Sequence, residues 1–297
     1  MSSRKLRRWL PALAAIALTL TLAAPADAAP RYPVTPNIAV GIAQSLPNPA
    51  ASPAGVNVAC TPSAAHPRPV VLVTGTFGNM IDDWSGLGPT LANAGYCVYA
   101  TPLGGNAHAL IQTIGPVATS ARQVQTFVDQ VLTKTGASQV DLVGHSQGGL
   151  IGEYYLKVLG GAPKVHAFVG LSPTTHGTSL DGLAYLAKVF PGGEALVGAA
   201  CAACADQIVG SSVVKAVESG GITQSGVDYT VLETRNEWVV TPAGTAAFIN
   251  EPGVHNKWIQ DTCPFDFADH GSLSYSKTVY GLTLNALDPA HATAVRC

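Results

Sequence analysis

The feature that most constrains this chain is a succession of short, uninterrupted apolar runs separated by stretches of helical period. "PVVLVTG" (Val70 to Thr74), "YCVYA" (Tyr96 to Ala100), "QVDLVG" (Gln139 to Gly144) and "VHAFVGLS" (Val165 to Ser172) are predominantly apolar and rich in β-branched and aromatic residues. Between them, "DDWSGLGPTLANAG" spaces Trp84, Leu87, Leu91 and Ala94 at helical intervals, and "VATSARQVQTFVDQVLTKTG" and "LIGEYYLKVL" read as helices. Strands without a polar face must be buried on both sides, and their alternation with helices predicts a mostly parallel, doubly wound α/β sheet. "VDYTVLET" and "HNKWIQD" continue the strands, and "LSYSKTVYGLTLNAL" reads as a closing helix. From Ala29 to about Pro69 the chain is rich in Pro, Ala and Asn and reads as an extended surface segment. Between His176 and Gly226 the alternation pauses among small apolar residues. That region, about 177–226, reads either as helices packed on the sheet or as a small cap over an apolar pocket.

Length and composition fit one globular domain over 29–297. Of the 297 residues 47% are hydrophobic and 11% charged, and a formal charge of -2 gives no electrostatic footprint for nucleic acid. A small or apolar ligand is expected, and a monomer. Residues 1–28 read as a signal peptide: Arg4, Lys5, Arg7 and Arg8 precede an apolar run from Trp9 to Ala24, and Ala26-Asp27-Ala28 fits a cleavage site. The run is shorter than the ~20 residues a membrane span needs. Arg7-Arg8 leaves the export route open between the general and twin-arginine pathways. In a secreted chain the six cysteines read as disulfides. Cys60 with Cys97 would staple the entry segment to the sheet, Cys201 with Cys204 would form a local bridge, and Cys263 remains for Cys297.

"VDLVGHSQGGLIGEYYLKV" places Ser146 between Gly144 and Gly148 at a strand-to-helix junction, the setting of a nucleophile elbow. A turn that tight holds the serine in a strained conformation and leaves no room for side chains two residues away on either side. A serine hydroxyl needs a base oriented by a carboxylate, in the order serine, acid, histidine on this topology. Of the late histidines, His255 leads into a strand and faces the opposite sheet edge, and His291 lies near the terminus, which leaves His270 in "FADHGS". The acid is expected after the strand Tyr229 to Glu233. Glu237 in "TRNEWVVTP" is the choice there, with Asp261 and Asp266 as competitors. The oxyanion amides are expected from Gln147 and from Thr76 in "TGTFGN", whose hydroxyl would add a third bond, with Phe77 lining the acyl pocket.

"VVLVTGTFGN", "DDWSGLGPTLANAGYCVYA", "GHSQGG", "TRNEWVVTP", "CPFD" and "DHGSLSYS", spread over about residues 60–290, resemble the class 2 secreted bacterial lipases of the α/β-hydrolase superfamily. The resemblance implies the α/β-hydrolase fold and carboxylester hydrolysis, commonly of acylglycerols, with Ser146 as nucleophile and His270 as base, no cofactor, and transient contact with a lipid interface. The family usually has aspartate at position 237, within "YDE" where this chain has Asn236-Glu237-Trp238. It also often has His-Gly where this chain has Thr74-Gly75. No compact carboxylate cluster suited to calcium is seen, so no metal is expected. An extracellular acyltransferase, or a catalytically inert binding module on the same fold, are the competing readings.

Overall fold

The computed structural model describes residues 32–189 and 201–297. The putting together of the chain begins with six parallel strands: β1 (Val70–Val73), β2 (Val98–Ala100), β3 (Val140–His145), β4 (Val165–Leu171), β5 (Asp228–Glu233) and β6 (His255–Trp258). Their order across the sheet is β2-β1-β3-β4-β5-β6. From β1 the chain winds one way to β2, and from β3 it winds the other way to β4. The crevice outside the carboxyl ends of β1 and β3 is therefore the switch point at which an open α/β sheet receives a ligand.

The helices in chain order are α1 (Ile38–Ser45), α2 (Met80–Trp84), α3 (Leu87–Asn93), α4 (Val117–Thr135), α5 (Gln147–Lys157), α6 (Leu180–Val189), α7 (Ala202–Asp206), α8 (Ser212–Glu218), α9 (Ile259–Thr262) and α10 (Lys277–Leu287). Alternating residues of each strand feed opposite cores, as the pleat requires. Val71, Val73, Leu142 and Val231 pack with Val124 and Val128 of α4, Leu150 and Tyr155 of α5, and Val214 and Val217 of α8. Val70, Leu72, Val143 and Leu232 pack with Trp84, Leu87 and Leu91 on one side of the other face and Val279 and Leu282 of α10 on the other.

The observed elements depart from the sequence reading in four places. The segment 29–69 is not extended throughout. Asn37 caps α1, its side chain accepting the Val40 N–H at 3.0 Å, and Gly41 lets the helix lie against Tyr275, whose hydroxyl would be 2.1 Å from an added Cβ. The single helix expected from Asp82 begins earlier, on the Asn79–Asp82 capping box. It breaks at Ser85–Gly86, where only glycine fits, because a side chain at 86 would meet the Tyr280 hydroxyl and the Ser274 carbonyl. The last strand stops at Trp258 and turns into α9, and the closing helix starts at Lys277 on a Ser276 cap, after a 3-10 turn over His270–Tyr275.

Within 177–226, α8 packs on α5 with Val213, Val214 and Val217 buried in the core. Residues 190–200 of that region, and residues 1–28, whose sequence reads as a signal peptide, lie outside the described residues. Cystines join Cys60 to Cys97, Cys201 to Cys204 and Cys263 to Cys297. The first ties the segment ahead of β1 to the start of β2. The third ties the loop ahead of His270 to the C-terminal residue.

Candidate active site

Ser146 stands between β3 and α5 with φ 55° and ψ −125°. Its N–H donates to the Leu171 carbonyl at 2.9 Å, pinning the turn to the neighbouring strand. The flanking glycines follow from contact. A Cβ on Gly148 would lie 1.9 Å from the Val73 carbonyl oxygen, and one on Gly144 would lie 2.5 Å from that of Gly148. Only hydrogen fits at either position. The helix begins at Gln147, ahead of the run "LIGEYYLKVL" that reads as a helix in the sequence, so the Gln147 N–H is one of the amides that no helical carbonyl can satisfy.

His270 opens the 3-10 turn that follows the 263–269 loop, and its ring is buried. Its Nδ1 lies 2.8 Å from Glu237 Oε2. Glu237 Oε1 accepts the N–H groups of Val239 at 2.6 Å and Val240 at 2.9 Å. Burial pushes the Glu237 carboxyl up, but the His270 ring and these two amides outweigh it and hold it at about 2. Of the competing acids, Asp261 is exposed and paired with Arg235, and Asp266 binds the Ser276 hydroxyl and the Ala268 N–H. Neither reaches the histidine ring. His255 and His291 are exposed, the first at the start of β6 and the second bonded to Asp288.

Ser146 Oγ and His270 Nε2 are both buried and have no hydrogen-bond partner among the described residues. Both residues line one cavity, together with Gly75, Thr76 and Ile38. The backbone N–H groups of Thr76 and Gln147 likewise make no hydrogen bond among the described residues. The Thr76 hydroxyl does not point to a third bond for a ligand: it donates to Gln147 Oε1 at 2.8 Å and accepts from Gln207 Nε2 at 2.8 Å. Phe77, at φ 68°, is fully buried and packs in the core with Val73 and Leu103, and is not among the residues lining the cavity.

A sequence profile described as the α/β hydrolase fold matches residues 68–199. Among solved structures, Aspergillus fumigatus lipase B superposes with a TM-score of 0.60 at 20% identity, covering 80% of this chain and 57% of that one. A Bacillus licheniformis lipase in mature form gives 0.55 at 16% identity, covering 76% and 94%. This is an α/β-hydrolase fold. A triacylglycerol lipase of Burkholderia plantarii is 36% identical over 140 residues, 43% of this chain and 37% of the relative. One from Pseudarthrobacter phenanthrenivorans is 37% identical over 118 residues, 38% and 34%. The chain thus spans about a third of the length of these curated relatives.

Three residues that the structure brings to the candidate site were missed by the sequence reading. Gln207, on the turn after α7, locks the Thr76 hydroxyl and accepts from Thr174 at 3.3 Å, which is a contact only the fold creates. Glu233, the last residue of β5, accepts the Ser172 hydroxyl at 2.6 Å and the Thr234 N–H at 2.8 Å. Burial and the charge of Glu237 push its carboxyl up to about 8, so a protonated carboxyl backs an ionised one. Ile38, from α1, reaches the cavity. Its helix was legible in principle, since Asn37 is a capping residue and Ile38, Gly41, Ile42 and Ser45 recur at helical spacing.

Proposed function

We propose that the protein is an exported serine carboxylester hydrolase, a lipase or esterase of the class 2 type, acting on acylglycerols or other acyl esters through an acyl-enzyme. The observation that carries this reading is the shared cavity in which Ser146 Oγ and His270 Nε2 are left unpartnered while His270 Nδ1 is bonded to an ionised Glu237. A carboxylate at Nδ1 fixes the tautomer that keeps the Nε2 lone pair free. Ser146 Oγ bonds to the ester carbonyl carbon as His270 Nε2 takes its proton. The tetrahedral oxyanion accepts from the amides of Thr76 and Gln147, the second at the N-terminus of α5. As the intermediate collapses, the carbon–oxygen bond to the alcohol breaks and His270 returns the proton to the leaving oxygen. Water then repeats the two steps on the acyl-enzyme.

Three cystines support an oxidising destination. Phe265 and Phe267, 86% and 81% exposed on the segment that runs into His270, support contact with an apolar substrate phase. The relatives named as triacylglycerol lipases support the substrate class. Hydrolysis rates across p-nitrophenyl esters of increasing chain length and emulsified triglycerides test the reading, together with fluorophosphonate labelling mapped to its peptide. Ester turnover with the label on Ser146 is expected. A folded protein that neither turns over any ester nor takes up the label overturns it. Replacing both phenylalanines by serine should lower the rate on emulsions several-fold and leave a soluble short-chain ester unaffected.

A further inference from the structure

His145, the residue before Ser146, is enclosed and faces acceptors on both ring nitrogens. Nδ1 lies 2.7 Å from Asp83 Oδ1 and Nε2 lies 2.9 Å from the backbone carbonyl oxygen of His270. A carbonyl oxygen only accepts, so Nε2 carries hydrogen, and a second proton must lie in the contact with Asp83. The other carboxylate oxygen of Asp83 accepts the Gly75 N–H at 2.8 Å. Imidazole is ordinarily the stronger base of the two, which places that proton on the ring. Burial opposes a charged ring, but Asp83, the His270 carbonyl and the charge of Glu237 outweigh it and raise the His145 pKa.

We propose that Asp83 and His145 form a fixed carboxylate–imidazolium pair that positions the reacting groups and turns its positive end toward the His270 ring. The pair joins three pieces of chain that are far apart in sequence. Asp83 holds the loop carrying the Thr76 amide through Gly75, His145 belongs to the turn that carries Ser146, and the same ring holds the backbone of His270. The rings of His145 and His270 are 5.0 Å apart between centroids, so a proton added to His270 meets a like charge. The other titratable groups around the two rings are Asp82 from α2, Tyr275 from the turn after His270, and Glu237 and Glu233 after and at the end of β5. The Trp84 and His145 rings, and the Trp238 and His270 rings, meet in T-shaped pairs with centroids 6.4 Å and 6.3 Å apart. Neutral His270 is the form the proposed base requires, and to that extent the proposal rests on the ester-hydrolase reading.

The test combines nitrogen-15 spectra of histidine-labelled protein with the variant Asp83→Asn. His145, assigned by its loss in His145→Gln, should show two protonated ring nitrogens at pH 7 to 8 in the unmodified protein. A single protonated nitrogen at pH 7 to 8 overturns the proposal whether or not the protein hydrolyses esters. If the protein proves to have no esterase activity while both nitrogens stay protonated, the functional reading has failed and the charged pair stands. In Asp83→Asn the amide oxygen can still accept from Gly75 and the amide N–H can donate to Nδ1, so the connections survive while the charge is lost. We expect that variant to fold, to show a singly protonated His145, to lose about tenfold in kcat with little change in KM, and to shift the acid limb of kcat/KM upward by about half a pH unit. An Asp83→Asn protein with a neutral His145, unchanged kcat and an unmoved acid limb would reduce the pair to a structural brace and refute the electrostatic role.

Discussion

Glu237 Oε2 lies 2.8 Å from His270 Nδ1 while Glu237 Oε1 accepts two consecutive backbone N–H groups, from Val239 and Val240. Both oxygens accept from donors, and these contacts outweigh burial and keep the carboxylate ionised.

Glu237→Gln cannot satisfy all of them. With its oxygen on the two amides its NH2 group faces the Nδ1 hydrogen of His270, and the ring must change tautomer or turn away. A fall in kcat of roughly 10² to 10⁴ with little change in KM is expected on a soluble ester. Glu237→Asp is one methylene shorter and should retain part of the activity only as far as the 237–240 turn can follow. Asp261→Asn and Asp266→Asn, whose carboxylates bind elsewhere, should be much milder. Equal damage from either, with an active Glu237→Gln, would return the acid to the histidine loop.

Ser146→Ala should lose activity by a factor on the order of 10⁶ while keeping its fold. Ser146 Oγ makes no hydrogen bond among the described residues, so the hydroxyl contributes little to hold the turn. Unfolding midpoints within a few degrees of the parent are expected, and a folded Ser146→Ala protein with most of its activity intact would remove Ser146 from the mechanism.

Gly148→Ala should be strongly destabilising, because its methyl group would lie 1.9 Å from the Val73 carbonyl oxygen, an atom of a central strand that cannot give way. A loss of more than about 3 kcal/mol is expected. Gly136→Ala, at the C-terminal end of α4 with φ 70° and open space around it, should cost only about 1 kcal/mol. Urea denaturation of the two variants distinguishes collision with backbone from backbone strain alone.

Glu153 gives the protein a built-in alkaline weakness. It is buried on α5, with one oxygen accepting the Thr175 hydroxyl at 2.7 Å and the other without a partner among the described residues. Burial raises its carboxyl to about 8. A raised folded-state pKa means that the stability it contributes is full below the ordinary glutamate value and is lost as pH rises toward 8. Glu153→Gln keeps the Thr175 contact without the charge, so it should be more stable than the parent at pH 9 by several kcal/mol, with the difference vanishing near pH 4. Unfolding midpoints of both proteins at pH 5, 7 and 9 check this, and parallel pH profiles would show that Glu153 does not carry the effect.

Much of this was readable along the chain. The continuous apolar runs dictated strands buried on both faces, since a parallel sheet covered by helices has no wet side. The spacing around Ser146 implied a turn too tight for side chains, and the contacts of Gly144 and Gly148 supply the reason. The order of serine, carboxylate and histidine narrowed the site because each must sit beyond the carboxyl end of a strand. These are local or topological properties, and neighbouring residues suffice to express them. What only the tertiary structure decided are the contacts between segments distant in sequence. Whether Glu237, Asp261 or Asp266 meets His270 depends on how two loops cross, and three carboxylates within reach by sequence become one by geometry. That Gln207 occupies the Thr76 hydroxyl, and that Asp83 and the His270 carbonyl bracket His145, require side chains to be enclosed together. Burial then strengthens or penalises their charges, and no periodicity in the chain records burial by a partner dozens of residues away.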